Sequence, residues 1–410
     1  MFDAMKKILI LADDLTGAND TAIQFAKRGI PCLVIVKAEM ASADLFDKYD
    51  CLSVSSDSRG LDAAEAYKVV YKTVKQIGAG FFVYKKVDSV LRGNPGQELG
   101  AVMDALDISL ALAAPSFPAN RSLLENGILN GKTDAVQVFA NRIGRKTENI
   151  PLEVIRNDAA AEFINSHSDT QVFVADAVTD EDLEIICKTS ASLEPHVLTG
   201  SAGLANQLAR RIGKAEVATL EKPFVLSPAL IIAGTRQGET AVQINTLCRA
   251  FAVAPVNFNV RLVAEGKAGM AITAAYDEAS RHANKNAGLY VIAVESMFHS
   301  AAPSGQTIND YIEGDETCAA ISTALGILAE KLMDSFQFPV MLSTGGDTSL
   351  AICERLGINA IKPLTEICPG IPLGRIVGGP YEGRFIITKS GRFGNPDSLV
   401  ETVKYLGVKQ

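Results

Sequence analysis

Residues 8–22 read ILILADDLTGANDTA, where four consecutive aliphatic residues lead directly into Asp13 and Asp14. An apolar run of four to eight residues without strict alternation is typical of a parallel strand covered on both faces. Carboxylates resist burial, and ligands of open α/β sheets bind beyond the carboxyl ends of the strands. The stretch therefore predicts an α/β fold and a polar site at the end of its first strand.

Similar apolar runs recur along the chain, separated by amphipathic segments with helical spacing. They include CLVIVKA, FFVYKKV, SLALAAP, QVFVADA, HVLTGSA, ALIIAGT, LYVIAVES, FPVMLST and GRFIITK. A chain of 410 residues favours two domains, and a charged segment with two prolines indicates a boundary near residue 225. We predict two α/β domains, 1–225 and 226–410, each with a largely parallel sheet flanked by helices, and an active site in the interdomain cleft.

The composition narrows the classes of protein and partner. Apolar residues make up 48% and charged residues 21%, and the net charge of −8 comes without a basic run of the kind that binds nucleic acid or anionic membranes. The seven cysteines form no CxxC pair, which argues against a disulfide framework or a zinc site. The chain carries no signal-peptide core or apolar membrane span. We expect a cytoplasmic protein that acts on small molecules.

Three strand ends in the first half are unusually polar. An aspartate after a strand often only caps the next helix, but capping requires no cations. Arginine binds carboxylates through two nitrogens, and aspartates accept hydrogen bonds from sugar hydroxyls. The set therefore predicts a site for a small polyhydroxylated anion. Its candidate residues are Asp14, Arg59, Lys86, Asp88, Ser89 and Arg92.

Strand-to-glycine transitions in the second half predict a phosphate site. Glycine lets the backbone approach phosphate closely, and the N-terminus of a following helix attracts an anion. We expect a nucleotide between STGGDT and KSGRFG, whereas Gly378 and Gly379 fit hairpin turns equally well. The candidate residues are Gly234, Thr235, Gly345, Gly346, Asp347, Thr348, Gly391 and Gly394.

Motifs of other enzyme classes are not supported. The stretch NGILNGKTD resembles a Walker A loop but is one residue short and follows no buried strand, so it predicts turns. There is no HExxH, GxSxG or GxGxxG motif. Ser201 stands in Gly200-Ser201-Ala202-Gly203, which resembles a nucleophile elbow only superficially and predicts a tight strand–helix turn. A sugar-acid dehydrogenase is disfavoured because the first strand lacks a glycine fingerprint.

Seven ordered segments resemble the four-carbon acid sugar kinases over nearly the whole chain: ADDLTGANDTA, DSRG, KKVDSVLRGN, AAPSFPANRS, IIAGT, STGGDT and KSGRFGN. The resemblance implies an N-terminal acid-sugar domain, a C-terminal nucleotide domain, and ATP-dependent phosphorylation of an aldonate such as D-threonate or D-erythronate. It implies acid-sugar contacts at Asp14, Arg59, Lys86, Val87, Asp88 and Ser89, and ATP contacts at Thr235, Gly345 to Thr348, and Gly391 or Gly394.

One segment departs from that family pattern. Members often carry GSCS where this chain reads Gly234-Thr235-Arg236-Gln237. Thr235 keeps a hydroxyl, and Arg236 adds a cation near the transferred group. The departure leaves open a different or branched sugar acid as the substrate.

Phosphoryl transfer depends on positioning and on neutralising charge, so we expect Mg²⁺ on the phosphate oxygens. Asp347 is the first candidate for the base that orients the attacking hydroxyl, and Asp14 is the alternative. Asp13 is also predicted among the residues that bind the acid sugar, where it orients its loop or reaches a metal. A non-catalytic acid-sugar sensor with nucleotide as effector stays an alternative, and so does a homodimer.

Overall fold

The computed structural model describes residues 7–78, 80–140, 144–193, 196–214, 225–282, 288–294 and 315–409. The chain divides into two compact units, Met1–Ala218 and Thr219–Gln410. This division falls within 215–224, which lies outside the described residues, so a domain boundary near residue 225 stays a prediction.

The first unit contains an α/β sheet and a small separate sheet. The strands are β1 (Ile8–Ala12), β2 (Cys32–Ile35), β3 (Cys51–Ser55), β4 (Phe82–Lys86), β5 (Ala111–Ala114), β6 (Leu124–Glu125), β7 (Ile128–Leu129), β8 (Thr133–Asp134), β9 (Thr147–Ile150), β10 (Val172–Ala175) and β11 (Val197–Gly200). The helices are α1 (Leu15–Ala26), α2 (Ala63–Ile77), α3 (Pro95–Leu106), α4 (Ala135–Ala140), α5 (Leu152–Arg156), α6 (Ala160–Ser166), α7 (Asp180–Ser190) and α8 (Ala202–Ile212).

The main sheet of this unit is parallel, with strand order β2-β3-β1-β4-β11-β5-β10-β9. Strands β1, β2, β5, β10 and β11 are buried along their length, as the runs without alternation predict, whereas the edge strand β9 is only partly buried. Ala12 pairs in register with both Ser55 and Lys86. The carboxyl ends of β3, β1 and β4 therefore lie side by side, and the residues that follow them share one edge.

The segment NGILNGKTD, residues 126–134, contains β7 and β8, which form a small antiparallel sheet with the preceding strand β6. Gly127, Asn130 and Gly131 have positive φ in its turns. Glycine and asparagine tolerate this conformation better than other residues. The prediction that this segment forms turns is confirmed.

The second unit also combines a sheet with helices. Its strands are β12 (Ala229–Ala233), β13 (Val256–Phe258), β14 (Leu289–Val294), β15 (Val340–Thr344), β16 (Ala360–Cys368), β17 (Ile371–Val377) and β18 (Phe385–Lys389). Its helices are α9 (Gly238–Ala250), α10 (Val260–Ala264), α11 (Ala268–His282), α12 (Asp315–Phe336), α13 (Gly346–Arg355) and α14 (Ser398–Tyr405).

The strand order of this unit is β13-β14-β12-β15-β18-β17-β16, parallel up to β18 and antiparallel beyond it. Ala233, Thr344 and Lys389 stand at matching register positions, so the ends of β12, β15 and β18 are neighbours. Gly378 and Gly379 lie between β17 and β18 with positive φ, which confirms their hairpin interpretation.

The predicted mixed α/β fold with largely parallel sheets is confirmed. All ten apolar runs of the sequence, ILILA included, contain a strand. Within the described ranges, no helix is long and apolar enough to cross a membrane.

Candidate active site

Asp14 is the N-cap of α1 and lies at the end of β1. Its Oδ1 accepts a hydrogen bond from the Gly17 N–H at 2.8 Å, and its Oδ2 accepts one from the Thr16 hydroxyl at 2.6 Å. Capping satisfies a helix N–H that would otherwise lack a partner. The capping interpretation is therefore correct for Asp14, but it does not account for the cations around this carboxylate.

Arg59 joins Asp14 to its neighbour Asp13. The guanidinium holds Asp13 through Nε to Oδ2 at 2.7 Å and Nη2 to Oδ1 at 2.9 Å, and its Nη1 donates to Asp14 Oδ2 at 2.6 Å. Both aspartates are nearly inaccessible, at 3% and 6% exposure. The loop after β3 is fixed as well, because the backbone N–H groups of Ser58 and Arg59 donate to the Asp13 carbonyl.

Asp88 and Arg92 form a second ion pair at the end of β4. Arg92 donates from Nε and Nη2 to the two oxygens of Asp88 at 2.9 and 2.8 Å. Arg59 Nη2 lies 4.0 Å from Asp88 Oδ1, which brings the two pairs together. Gly93 has φ +81°, and a Cβ there would lie 3.2 Å from the Arg59 backbone. Glycine at this position thus lets the two loops pack against each other.

Lys86 places an ammonium beside these carboxylates. A Cβ on Gly17 would lie 2.6 Å from Asp14 Oδ1 and 3.1 Å from Lys86 Nζ. Lys86 itself is buried, and its Nζ donates to the Val87 carbonyl at 2.8 Å. The Val87 side chain is buried, and the Ser89 carbonyl accepts a hydrogen bond from the Ser122 hydroxyl. The eight residues predicted for the acid sugar therefore lie in one region of the first unit.

Charge and burial oppose each other at Asp14. Burial raises the pKa of this carboxyl, whereas the charges of Arg59 and Lys86 lower it. Hydrogen bonds from Thr16 and Gly17 lower it further, and the resulting pKa is below its ordinary value. The carboxylate is therefore ionised at neutral pH and already accepts three hydrogen bonds.

Burial and nearby cations also have opposite effects on the pKa of Asp88. Burial raises the pKa of its carboxyl, but the hydrogen bonds from Arg92 and the charge of Arg59 outweigh burial. The net pKa is well below the ordinary value, so this carboxylate is also ionised at neutral pH.

A buried ion pair that the sequence analysis missed supports these loops. Lys85 Nζ lies 2.6 Å from Glu98 Oε2, and both side chains are almost fully buried. The Ser58 hydroxyl donates to Glu98 Oε1 at 2.7 Å, next to Arg59 in the chain. A signal for this pair was available in the sequence, because Lys85 stands inside an apolar strand run.

In the second unit, the glycine loops after β12, β15 and β18 pack against one another. A Cβ on Gly234 would lie 2.2 Å from Thr348 Oγ1, and one on Gly391 would lie 2.4 Å from Thr235 Oγ1. Gly345 has φ +99°, and a Cβ there would lie 3.4 Å from Thr235 Cβ. Larger residues at these positions would separate the loops, so the predicted glycines of the nucleotide site are brought together by the fold.

Two helices begin at these loops without a side-chain cap. Gly345 is the N-cap of α13 and Gln237 is the N-cap of α9, and neither makes a side-chain hydrogen bond to the first turn. First-turn N–H groups and the positive end of the helix dipole attract phosphate. Gly346 and Asp347 lie in the first turn of α13, where the Asp347 side chain is exposed.

Gly394 and Arg236, also singled out in the sequence, have different neighbours from the glycines above. Gly394 has φ +89° and packs against Ser398 at the start of α14 and against Gln243 on α9, whereas Gly345 and Gly391 lie against Thr235. The Arg236 side chain is exposed, and its Nη2 donates to Cys318 Sγ on α12 at 3.7 Å.

Comparison with known proteins assigns a class to each unit. The sugar-binding N-terminal domain family matches residues 8–135 and 130–208, and the nucleotide-binding C-terminal domain family matches residues 230–399. D-threonate kinase of Salmonella typhimurium is 27% identical, over 98% of each chain. D-erythronate kinase of Heliobacterium modesticaldum is 26% identical, over 99% of this chain and 98% of its own.

The chain belongs to the four-carbon acid sugar kinase family. A 3-oxo-tetronate kinase of Burkholderia multivorans is also similar, at 26% identity over 97% of the kinase described here. The crystal structure of a Haemophilus influenzae protein superposes with a TM-score of 0.69 and 21% identity, covering 97% of this chain and 99% of the other. That likeness shows the shared fold alone.

Proposed function

We propose that this sugar-acid kinase uses ATP to phosphorylate a hydroxyl of a four-carbon aldonate such as D-threonate or D-erythronate. The observation that carries the proposal is the cluster of three carboxylates and three cations at the ends of β1, β3 and β4. It lies in the unit that matches the sugar-binding family. The cluster members are Asp13, Asp14, Asp88, Arg59, Lys86 and Arg92.

The chemistry of the cluster suits an acid sugar. Carboxylates accept hydrogen bonds from hydroxyl groups, and ammonium and guanidinium groups bind a carboxylate. The Lys86 ammonium has one hydrogen-bond acceptor among the described residues, the Val87 carbonyl, which leaves N–H groups for the acid. The Arg59 guanidinium donates hydrogen bonds to Asp13 and Asp14. We therefore assign Arg59 both to orient these carboxylates and to contact the acid.

The nucleotide is assigned to the glycine loops of the second unit. The backbone at Gly234, Gly345, Gly346 and Gly391 is free of side chains, and the uncapped first turn of α13 offers N–H groups to phosphate. In the described part of the chain, no group of three or more acidic, histidine or cysteine side chains could hold a metal alone. Mg²⁺ that enters with ATP would neutralise phosphate charge at this site.

Asp347 is our candidate for the base that accepts the proton of the attacking hydroxyl. Its side chain is exposed, at the start of α13, among the loops assigned to phosphate. Asp14 is less suited to accept a proton, because cations and hydrogen bonds stabilise its ionised form. We assign Asp14 to hold the acid sugar by accepting hydrogen bonds from its hydroxyls.

The relatives act on more than one acid, so the particular acid is a separate proposal. Threonate and erythronate are diastereomers, and 3-oxo-tetronate differs at one carbon. The departure at Thr235-Arg236-Gln237 keeps a different or branched sugar acid as the alternative. A cytoplasmic location and a homodimer stay predictions.

The test is a screen of ADP release with the purified full chain, ATP and Mg²⁺. The acids are D-threonate, D-erythronate, their enantiomers, 3-oxo-tetronate and branched four-carbon acids, with a reaction lacking acid as the blank. We expect ADP release above the blank with at least one straight-chain four-carbon acid. Release with branched acids alone supports the alternative, and no release with any acid contradicts the proposal.

A further inference from the structure

Lys389 ends strand β18 and is completely buried. Its Nζ donates to Thr240 Oγ1 at 3.2 Å and to the Ser390 carbonyl at 2.9 Å. Within the described ranges, no carboxylate oxygen lies within 4.0 Å of this nitrogen. A buried ammonium without a counter-ion is costly, and such a group loses its proton unless a negative charge offsets the loss of water.

This lysine lies beneath two loops assigned to the nucleotide. The Lys389 carbonyl accepts a hydrogen bond from the Gly345 N–H at 2.9 Å. Thr240, which accepts from the lysine, donates its own hydroxyl hydrogen to the Gly391 carbonyl at 2.7 Å. Lys389 therefore contacts the Gly345 loop through its backbone and the Gly391 loop through Thr240.

The surroundings of the amine favour its neutral form. Burial lowers the pKa of Lys389 to about 7, and the charge of Glu239 raises it in part. Glu239 and Thr240 lie in the first turn of α9, where the positive end of the helix dipole opposes a further positive charge. The facing position on β15, Thr344, is uncharged. The flanking loops also carry two exposed charged groups, Asp347 and Arg392.

We propose that Lys389 couples nucleotide binding to proton uptake. When a nucleoside di- or triphosphate occupies the glycine loops, its negative charge draws one proton from the buffer onto Lys389 Nζ. By linkage, the protonated lysine strengthens nucleotide binding to the same extent. No bond to phosphorus forms or breaks in this step. The inference rests on the proposed nucleotide site and adds a regulatory property to it.

The test is calorimetric titration of the full chain with ADP and Mg²⁺ in two buffers of different ionisation enthalpy. The difference between the observed heats gives the number of protons taken up per ADP. With a pKa of about 7, the amine of the unbound protein is mostly neutral near pH 8 and mostly protonated near pH 6. We expect uptake of between half a proton and one proton per ADP near pH 8, and uptake close to zero near pH 6.

Three variants separate this role from a structural one. K389M should bind ADP without proton uptake at either pH, and K389R should also bind without uptake because arginine stays charged. Lys404 is exposed on α14 of the same unit, so K404M should retain the wild-type uptake. If K389M fails to fold, proton uptake by K389R and the pH dependence of uptake by the wild type still test the coupling.

Two results would overturn the coupling. One is ADP binding by the wild type near pH 8 without proton uptake. The other is wild-type uptake that persists in K389R. Absence of any ADP binding by the wild type would instead overturn the nucleotide site itself, and the coupling with it. The two failures are therefore distinguishable from one set of titrations.

Discussion

Arg59 holds Asp13 through two parallel hydrogen bonds, Nε to Oδ2 at 2.7 Å and Nη2 to Oδ1 at 2.9 Å. Asp13 is almost inaccessible and has no other cation within 4.0 Å among the described residues. The same guanidinium reaches Asp14, the N-cap of α1. One arginine thus orients both carboxylates that follow the first strand, and a planar guanidinium is needed for that geometry.

Replacing Arg59 by lysine keeps the charge but cannot bridge both aspartates. We expect R59K to raise the KM for the acid sugar by at least about tenfold, equivalent to about 1.4 kcal/mol, and to change the KM for ATP by less than about twofold. Steady-state kinetics with each substrate varied in turn measures both. Arg156 holds Asp182 with the same two-nitrogen geometry elsewhere in the first unit, so R156K is the matched control and should leave both KM values unchanged. Equal effects of the two variants would contradict the assignment.

Asp347 is expected to act in turnover rather than in binding of the acid. D347N should lower kcat by about a hundredfold or more, the usual range for loss of a general base, and leave acid-sugar affinity nearly intact. D14N should weaken acid-sugar binding instead. Calorimetric titration with the acid, together with kcat for each variant, separates these roles. Near-normal turnover of D347N would show that the base assignment is wrong.

The strands were predictable because their signal is local. Each apolar run of the parallel sheets is buried on both faces, so hydrophobicity alone marks it. Four sets of strands were not predicted: the edge strand β9, the short strand β13, the small sheet β6-β7-β8, and the antiparallel pair β16 and β17. Strands β9 and β16 are partly exposed and carry polar residues, as TENI in β9 shows, so their sequences do not differ clearly from loops.

The residues of the site were predictable to the extent that they lie within a few residues after a strand. Asp14 and Arg59 stand in such positions, and parallel strand ends meet at one edge. Lys85, Glu98 and Lys389 were not predicted because their importance depends on side-chain burial and on partners distant in sequence. Glu98, for example, lies in α3, and nothing local in PGQELGAVMDAL marks it as the partner of a buried lysine.

The Lys85–Glu98 pair should stabilise the first unit only when both partners are present. E98A leaves a buried ammonium without its counter-ion, and we expect a loss of about 3–5 kcal/mol in the free energy of unfolding. The double variant K85M/E98L removes both charges and should recover most of that loss. Urea unfolding followed by circular dichroism measures both. Lys188 and Asp158 form an exposed pair, so K188A should cost less than about 1 kcal/mol. A double variant as unstable as E98A would contradict this account.

Acid should weaken the first unit through Asp14 and Asp88. Both carboxyl groups have a pKa below the ordinary value of 3.8, so the folded protein binds fewer protons than the unfolded chain near that pH. Their stabilisation is complete only at a pH well above 3.8, and it is lost progressively as the pH falls below that value toward the lower pKa of the folded state. D88N should therefore be less stable than wild type at pH 7 and should lose less stability between pH 4 and pH 2. The exposed Asp158 provides the control D158N, which should follow the wild-type curve. Parallel curves for D88N and wild type would contradict the prediction.

Gly391 is expected to be sensitive to a single added carbon. A Cβ there would lie 2.4 Å from Thr235 Oγ1 and 2.8 Å from Gln237 Cγ, so G391A must displace the loop after β12 that we assign to the nucleotide. Its φ is not in the left-handed region, so the expected effect is a clash and not backbone strain. We expect the Kd for ADP, measured by calorimetry, to rise at least about tenfold, while affinity for the acid sugar is unchanged.

Gly269 on α11 supplies the control for that experiment. A Cβ at Gly269 would meet no atom within 4 Å, and alanine favours helices over glycine. G269A should therefore bind ADP like wild type and be slightly more stable. Because Gly391 contacts Thr235 directly, a shift of that loop should reach the hydroxyl that this chain carries in place of the family's GSCS segment. If G391A bound ADP as tightly as wild type does, neither the Gly391 loop nor its contact with Thr235 would belong to the nucleotide site.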